Sequence, residues 1–295
     1  MTPAMPSRTI AVTANGVRFV CAEVGDGPLA LCLHGFPDSP TTWRHLMPAL
    51  AAAGYRAVAP FLRAFAPTAI PPDGACQVGA LVADAIALHE ALGGDGRAVL
   101  VGHGFGALAG YGATAHAPER WRRAVGIAVG PIGGSGMPAG FLDYEQLRRS
   151  FAFFLFQTPL AEPALAADDM AFIDGLWRDW APGYDSTGDA ARAKDCVRDP
   201  AHLRAILDYY RSSFDAGRRS PAYAAEEEAL NRPPGRPTLY LHGGVDGRID
   251  RRYLRGVDGL LGEGGRVVVV EAAGHFPQLE RPAEVNRLVL DWLAA

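Results

Sequence analysis

Apolar positions in the first half of the chain follow two rhythms. Short, nearly unbroken apolar runs in "LALCLHGF", "YRAVAPF", "RAVLVGH" and "WRRAVGIAVG" read as strands buried on both faces. Between them, "TTWRHLMPALAAAG", "CQVGALVADAIALHEALGG" and "FGALAGYGATAHA" carry helical spacing, with Gly54 and Gly93-Gly94 as stops. Ahead of these, "TIAVTANGVRFVCAEVG" reads as two strands hinged at Asn15-Gly16, a dipeptide that tolerates positive φ. Strands alternating with helices predict an α/β fold with a mostly parallel, doubly wound sheet.

The rhythm breaks at "PIGGSGMPAG" (Pro131 to Gly140), where Gly and Pro take over. The strand pattern is then absent until "PTLYLHGG" at Pro237. The intervening chain reads as helices in "DYEQLRRSFAFFLFQ", "ADDMAFIDGLWRDW", "DPAHLRAILDYYRSSF" and "SPAYAAEEEAL". Alternation resumes with "TLYLHGG", a helix from about Asp250, "RVVVVEAAGH" and "PAEVNRLVLDWLAA". The expected organisation is a core of residues 1–131 and 236–295 with a helical cap inserted at 132–235. Such a cap would close a pocket over the carboxyl ends of the parallel strands.

Composition narrows the class without naming a function. Hydrophobic residues make up 49% and charged residues 20%, as in a globular chain with a sizeable core. A net charge of −4 gives no reason to expect nucleic acid or an anionic membrane as a partner. Lys194 is the sole lysine. The four scattered cysteines (Cys21, Cys32, Cys76 and Cys196) form no CxxC pair and read as buried free thiols. No secretory signal and no run long enough to span a membrane stand out, so the cytoplasm is the expected location. A small molecule is the expected partner, and no cofactor or metal is called for. The oligomeric state, a dimer included, stays open.

Chemistry gathers in four turns at predicted strand ends: "HGFPDS", "GHGFG", "HGGVDGRID" and "AAGHFPQLERP". In this order, with a cap between the second and third, the chain resembles the α/β-hydrolase superfamily, and within it the capped epoxide hydrolase and haloalkane dehalogenase branch. "FQTPLAEP" and "DYYRSSF" resemble cap segments of epoxide hydrolases. The resemblance implies that His275 is a general base and Asp246 the acid that fixes its tautomer. It implies an oxyanion hole made by the Phe36 and Phe105 amides. Tyr210 matches a cap tyrosine that hydrogen-bonds the epoxide oxygen. Where a second tyrosine is expected, Leu155 and Phe156 stand instead. Asp38, Phe156 and Trp177 are candidate pocket residues beside Tyr210, although Asp38 could equally bond its own turn and Trp177 could be core. His34 reads as structural, and His103 and His116 as packing or surface residues. "APFLRAFAPT" departs from the family at Phe61 and Ala64, which suggests altered packing beside the pocket.

One position breaks the pattern. The nucleophile place in "GHGFG" holds Gly104, and no Ser, Thr, Cys or Asp follows before Ala113. The flanking His103 and Phe105 make Asp the residue expected there and Ser the second choice. Gly104 then marks an engineered loss of the nucleophile or natural chemistry that needs no covalent step. Direct water activation, isomerisation, cyclisation or elimination would all qualify. A non-catalytic protein binding a small ligand on the same fold is the alternative. Glycine also occupies positive φ without the strain of about 1–3 kcal/mol that a side chain brings to such a turn.

Overall fold

The computed structural model describes residues 8–133 and 141–295. The N-terminal segment weighed above for a signal, and most of the Gly/Pro-rich break, lie outside the described residues. Strands β1 (Arg8–Ala14) and β2 (Val17–Val24) form the expected hairpin, with Ala14 opposite Val17 across Asn15-Gly16. The chain continues through β3 (Leu29–Leu33), α1 (Leu46–Ala52), β4 (Arg56–Pro60), α2 (Val78–Ala91), β5 (Ala98–His103), α3 (Phe105–His116) and β6 (Trp121–Ile127). Seven helices follow: α4 (Tyr144–Arg149), α5 (Phe151–Leu155), α6 (Ala161–Ala166), α7 (Ala171–Trp180), α8 (Thr187–Val197), α9 (Pro200–Phe214) and α10 (Ala224–Ala229). Strands β7 (Thr238–Gly243) and β8 (Arg266–Val270), then helices α11 (Pro277–Glu280) and α12 (Pro282–Ala294), complete the chain.

The eight strands form one sheet in the order β1-β2-β4-β3-β5-β6-β7-β8. The hairpin strands pair antiparallel and all later pairs are parallel. This is the α/β-hydrolase arrangement, built from apolar runs because both faces are covered. One face packs Leu46, Met47 and Leu50 of α1 and Val285, Val289 and Leu293 of α12 against alternate residues of the central strands. The other carries α2 and α3, and its core continues without a break into α7, α8 and α9. Helix α10 packs on α2 and α3, with Glu227 accepting the Gly79 amide at 2.8 Å.

The structure differs from the sequence pattern in three places. The run from Thr41 splits into a 3₁₀ turn, Pro40–Trp43, and the short helix α1. Pro40 at the first helical position and the Ser39 side chain at its cap begin the turn early. The helix expected from about Asp250 is instead two 3₁₀ turns, Arg251–Leu254 and Val257–Leu260. Gly256 separates them at φ 83°, a conformation that cannot continue a right-handed helix. Helix α8 had no strong apolar stripe to announce it. Its small and charged residues bury Ala190, Ala193, Cys196 and Val197 only because neighbouring helices cover them.

Beside the sheet, Arg63 is fully buried and forks onto Asp84, with Nε at 2.6 Å and Nη2 at 2.5 Å. Its third contact is the Ala75 carbonyl, and its own carbonyl accepts from Tyr209 of α9 at 2.8 Å. Next to it, Ala64 holds positive φ (63°), so the turn keeps a left-handed backbone without a glycine. A buried fork of this kind is expensive to break from one side. Arg63→Met is therefore expected to cost about 3–5 kcal/mol in urea unfolding by stranding Asp84. Arg63→Met with Asp84→Leu should recover most of that loss. A single variant as stable as the parent would contradict the assignment.

Candidate active site

The site begins with how closely β5 and α3 meet. A methyl group on Gly102 would come within 2.2 Å of the Gly106 carbonyl oxygen, and one on Gly106 within 2.1 Å of the Leu33 carbonyl oxygen. Only hydrogen fits at either place. Between them Gly104 turns the chain at φ 58°, ψ −120° and stands at the N-terminus of α3. A Cβ on Gly104 would meet only the Gly35 Cα, at 3.3 Å. The position therefore admits a side chain only if Gly35 yields by a few tenths of an ångström, and its positive φ would strain any residue other than glycine. Phe105 is the first residue of α3, where amides have no partner within the helix. Phe36, in the turn after β3, borders the same cavity as Phe105, Gly104, Tyr210 and His275.

His275 and Asp246 come from turns after β8 and β7. The His275 Nδ1–H donates to Asp246 Oδ2 at 2.8 Å, which leaves Nε2 as the unprotonated nitrogen. The other Asp246 oxygen accepts the amides of Arg248 (2.7 Å) and Ile249 (2.9 Å). Burial alone would raise the Asp246 pKa, but His275 and these amides hold it below the usual carboxylate range. Burial pushes the His275 imidazole below its ordinary value; Asp246 offsets this in part and Arg248 adds to it. The last carbonyl of α7, on Trp180, accepts both the His275 amide (2.9 Å) and the Gly247 amide (3.2 Å). One unpaired helix-end carbonyl thus ties together the two turns that carry the pair.

Other residues singled out from the sequence are distributed around this centre. Tyr210 is buried against Phe36, Phe105 and Phe156, and burial moves its phenol up to about 12. Phe156 and Trp177, expected in the pocket, stand behind its wall. Phe156 is enclosed by Phe36, Phe172 and Tyr210. Trp177 stacks on Phe276 at 3.6 Å and donates from Nε1 to the Pro37 carbonyl at 2.9 Å, which ties α7 to the core. Asp38 is likewise set back from the cavity, with Oδ1 accepting the Ser39 amide.

The sequence reading undervalued His103. It lies directly under His275, ring centroids 5.1 Å apart, and its Nε2–H donates to the His275 carbonyl at 2.9 Å. Its Nδ1 faces Asp38 Oδ2 at 3.6 Å, and neither atom has a protein hydrogen bond. Burial drives His103 toward the neutral form and raises Asp38 well above a normal carboxyl. Nothing local to "GHGFG" or "HGFPDS" announces this meeting, because the turns are joined only by the sheet. His116, by contrast, is exposed and 4.0 Å from Glu226, away from the site.

The cavity above Gly104 measures about 960 Å³. Its lining mixes aromatic residues such as Phe36, Phe105 and Tyr210 with aliphatic and polar ones, Gln146 and Arg248 among them. The four cysteines are buried and unbonded. Among the described residues no helix is long and apolar enough to cross a membrane.

Comparison with known proteins identifies relatives that span nearly the whole chain. Residues 30–288 match the model of the Alpha/beta hydrolase family. An epoxide hydrolase of Siraitia grosvenorii ("Epoxide hydrolase 2") is 30% identical over 96% of both chains. One from Caballeronia sordidicola is 29% identical over 96% of this chain and 92% of its own. The solved epoxide hydrolase of Bacillus megaterium superposes with a TM-score of 0.80, covering 97% of this chain and all of that one, at 24% identity.

His34 supplies a test of the electrostatics. Its Nδ1–H donates to the Gly35 carbonyl at 2.8 Å, and its Nε2 accepts the Leu62 amide at 3.1 Å. Both nitrogens are used only by the neutral ring, and burial lowers its pKa to about 4. This contribution is complete above the unfolded-state value of 6.5 and is lost as pH falls through about 4. It corresponds to roughly 3 kcal/mol. Urea unfolding from pH 7 to 4 is expected to show a shallower decline for His34→Gln than for the parent. Parallel curves would refute it.

Proposed function

The chain belongs to the alpha/beta hydrolase family, in its epoxide hydrolase-like branch, and from that premise we propose an enzyme that opens epoxide-like electrophiles without a covalent intermediate. The observation that carries this reading is Gly104 at the turn of a nucleophile beside an intact His275–Asp246 pair. A water in the space a carboxylate would fill gives its proton to His275 Nε2. Asp246 steadies the resulting imidazolium. The Phe36 and Phe105 amides hold the hydroxide as it forms. Its oxygen attacks a ring carbon, the ring C–O bond breaks, and the departing oxygen takes a proton from Tyr210. Solvent returns a proton from His275 to the tyrosinate, so the net change is addition of one water. Tyr210 supports this role because it borders the cavity and, among the described residues, its hydroxyl has no hydrogen-bond partner.

Several measurements test it. In a single turnover in ¹⁸O-water, the added oxygen is expected to come wholly from solvent, whereas a covalent route would draw it first from the protein. His275→Ala should lower kcat/KM by about 10²–10⁴. Because the base must be neutral and its pKa is lowered, the acid limb of kcat/KM should lie below pH 6.5. Gly104→Asp should fold, lose about 1–3 kcal/mol to strain at positive φ, and move the first-turnover oxygen to the protein. If no epoxide is converted while a small ligand still raises the melting temperature, the chain is a binding protein and the catalytic reading falls.

A further inference from the structure

The turn that supplies Asp246 also delivers a cation into the cavity. The Arg248 backbone is fixed at both ends: its amide donates to Asp246 Oδ1 at 2.7 Å, and its carbonyl accepts from Gln146 Nε2 at 2.9 Å. Its side chain lines the same cavity as Gly104, Tyr210 and His275. The guanidinium lies over the Trp180 ring, 5.2 Å from its centre, and Trp180 packs edge-on against His275 at 5.1 Å. Among the described residues no carboxylate forms an ion pair with it. The neighbouring arginines are occupied: Arg149 donates to the Asp246 carbonyl and faces Asp250, and Arg252 pairs with Asp250.

A half-buried guanidinium that no carboxylate among the described residues pairs is costly beside the Phe36, Phe105 and Tyr210 rings that line the same cavity. Its positive field reaches the reacting groups, opposing protonation of His275 and favouring ionisation of Tyr210. Both effects would be relieved by a bound anion. Two of the three carboxylates on the cavity wall are engaged elsewhere, Glu227 accepting the Gly79 amide and facing Arg219 and Glu228 accepting from Asn231, and the third, Asp143, lies in the field of Arg252. Four arginines and three carboxylates line the cavity, so its wall is net positive in a chain of net charge −4. A planar guanidinium matches the two oxygens of a carboxylate. One such fork, with no lysine or amide cluster beside it, suits a monoanion better than a phosphate.

We propose that Arg248 is a specificity residue that binds the carboxylate of the substrate, so that the pocket takes apolar or aromatic molecules bearing one acid group beside the reacting centre. This rests on the cavity reading of the preceding subsection but not on its chemistry. The test uses the unreactive pair 3-phenylpropionate and 3-phenylpropanol, with affinity measured by calorimetry on the full chain. The parent should bind the acid at least tenfold more tightly than the alcohol, with the preference shrinking as salt rises. Arg248→Gln should bring the two affinities within twofold of each other. Arg248→Lys, which keeps the charge but loses the fork, should fall between them and serves if the Gln variant does not fold. His275→Ala should retain the preference, which separates this proposal from failure of the catalytic one. No preference in the parent, or one that survives in Arg248→Gln, would overturn it.

Discussion

Everything in the site depends on how closely three backbone segments can approach where β3, β5 and α3 meet. The Gly106 and Gly102 contacts leave no space for even one methyl group, and that proximity brings the Phe36 turn alongside the first amide of α3. The two proposed anion-binding amides therefore owe their position to backbone packing rather than to any reactive side chain. Such a device survives the loss of a nucleophile, because Gly104 adopts the same turn at lower strain.

Around that crossing, burial keeps most of the ionisable groups neutral and reserves charge for two places. His34, His103 and His275 are all moved toward the uncharged ring. Asp38 is moved toward the acid form. Asp246 remains ionised because a histidine and two amides serve its oxygens, and Arg248 remains charged on the cavity wall. The negative charge of Asp246 behind His275 and the positive charge of Arg248 at the cavity create a field across the pocket. Low surrounding polarity strengthens both. The cap is part of the same arrangement, since the Trp180 carbonyl fastens the His275 and Asp246 turns while its indole carries Arg248.

The sequence alone determined the alternation of strands and helices, the Asn15-Gly16 hairpin, the helical stretch before β7, and the His275, Asp246 and Gly104 positions. These are legible because they are local: buried parallel strands must be apolar throughout, and each turn motif sits within a few residues. Tertiary structure decided which of the singled-out side chains reach the cavity. Phe156 and Trp177 became walls behind the pocket because helix packing sets side-chain direction, which spacing does not reveal. His103 and Asp38 came together under His275 only because the sheet aligns turns far apart in sequence. Nothing in the sequence singles out Arg248; folding places it over Trp180, and among the described residues no carboxylate forms an ion pair with it. Chain order can specify which residues are present at strand ends. Only the packed fold decides which of them share a dielectric environment, and so which can exchange protons or bind charge.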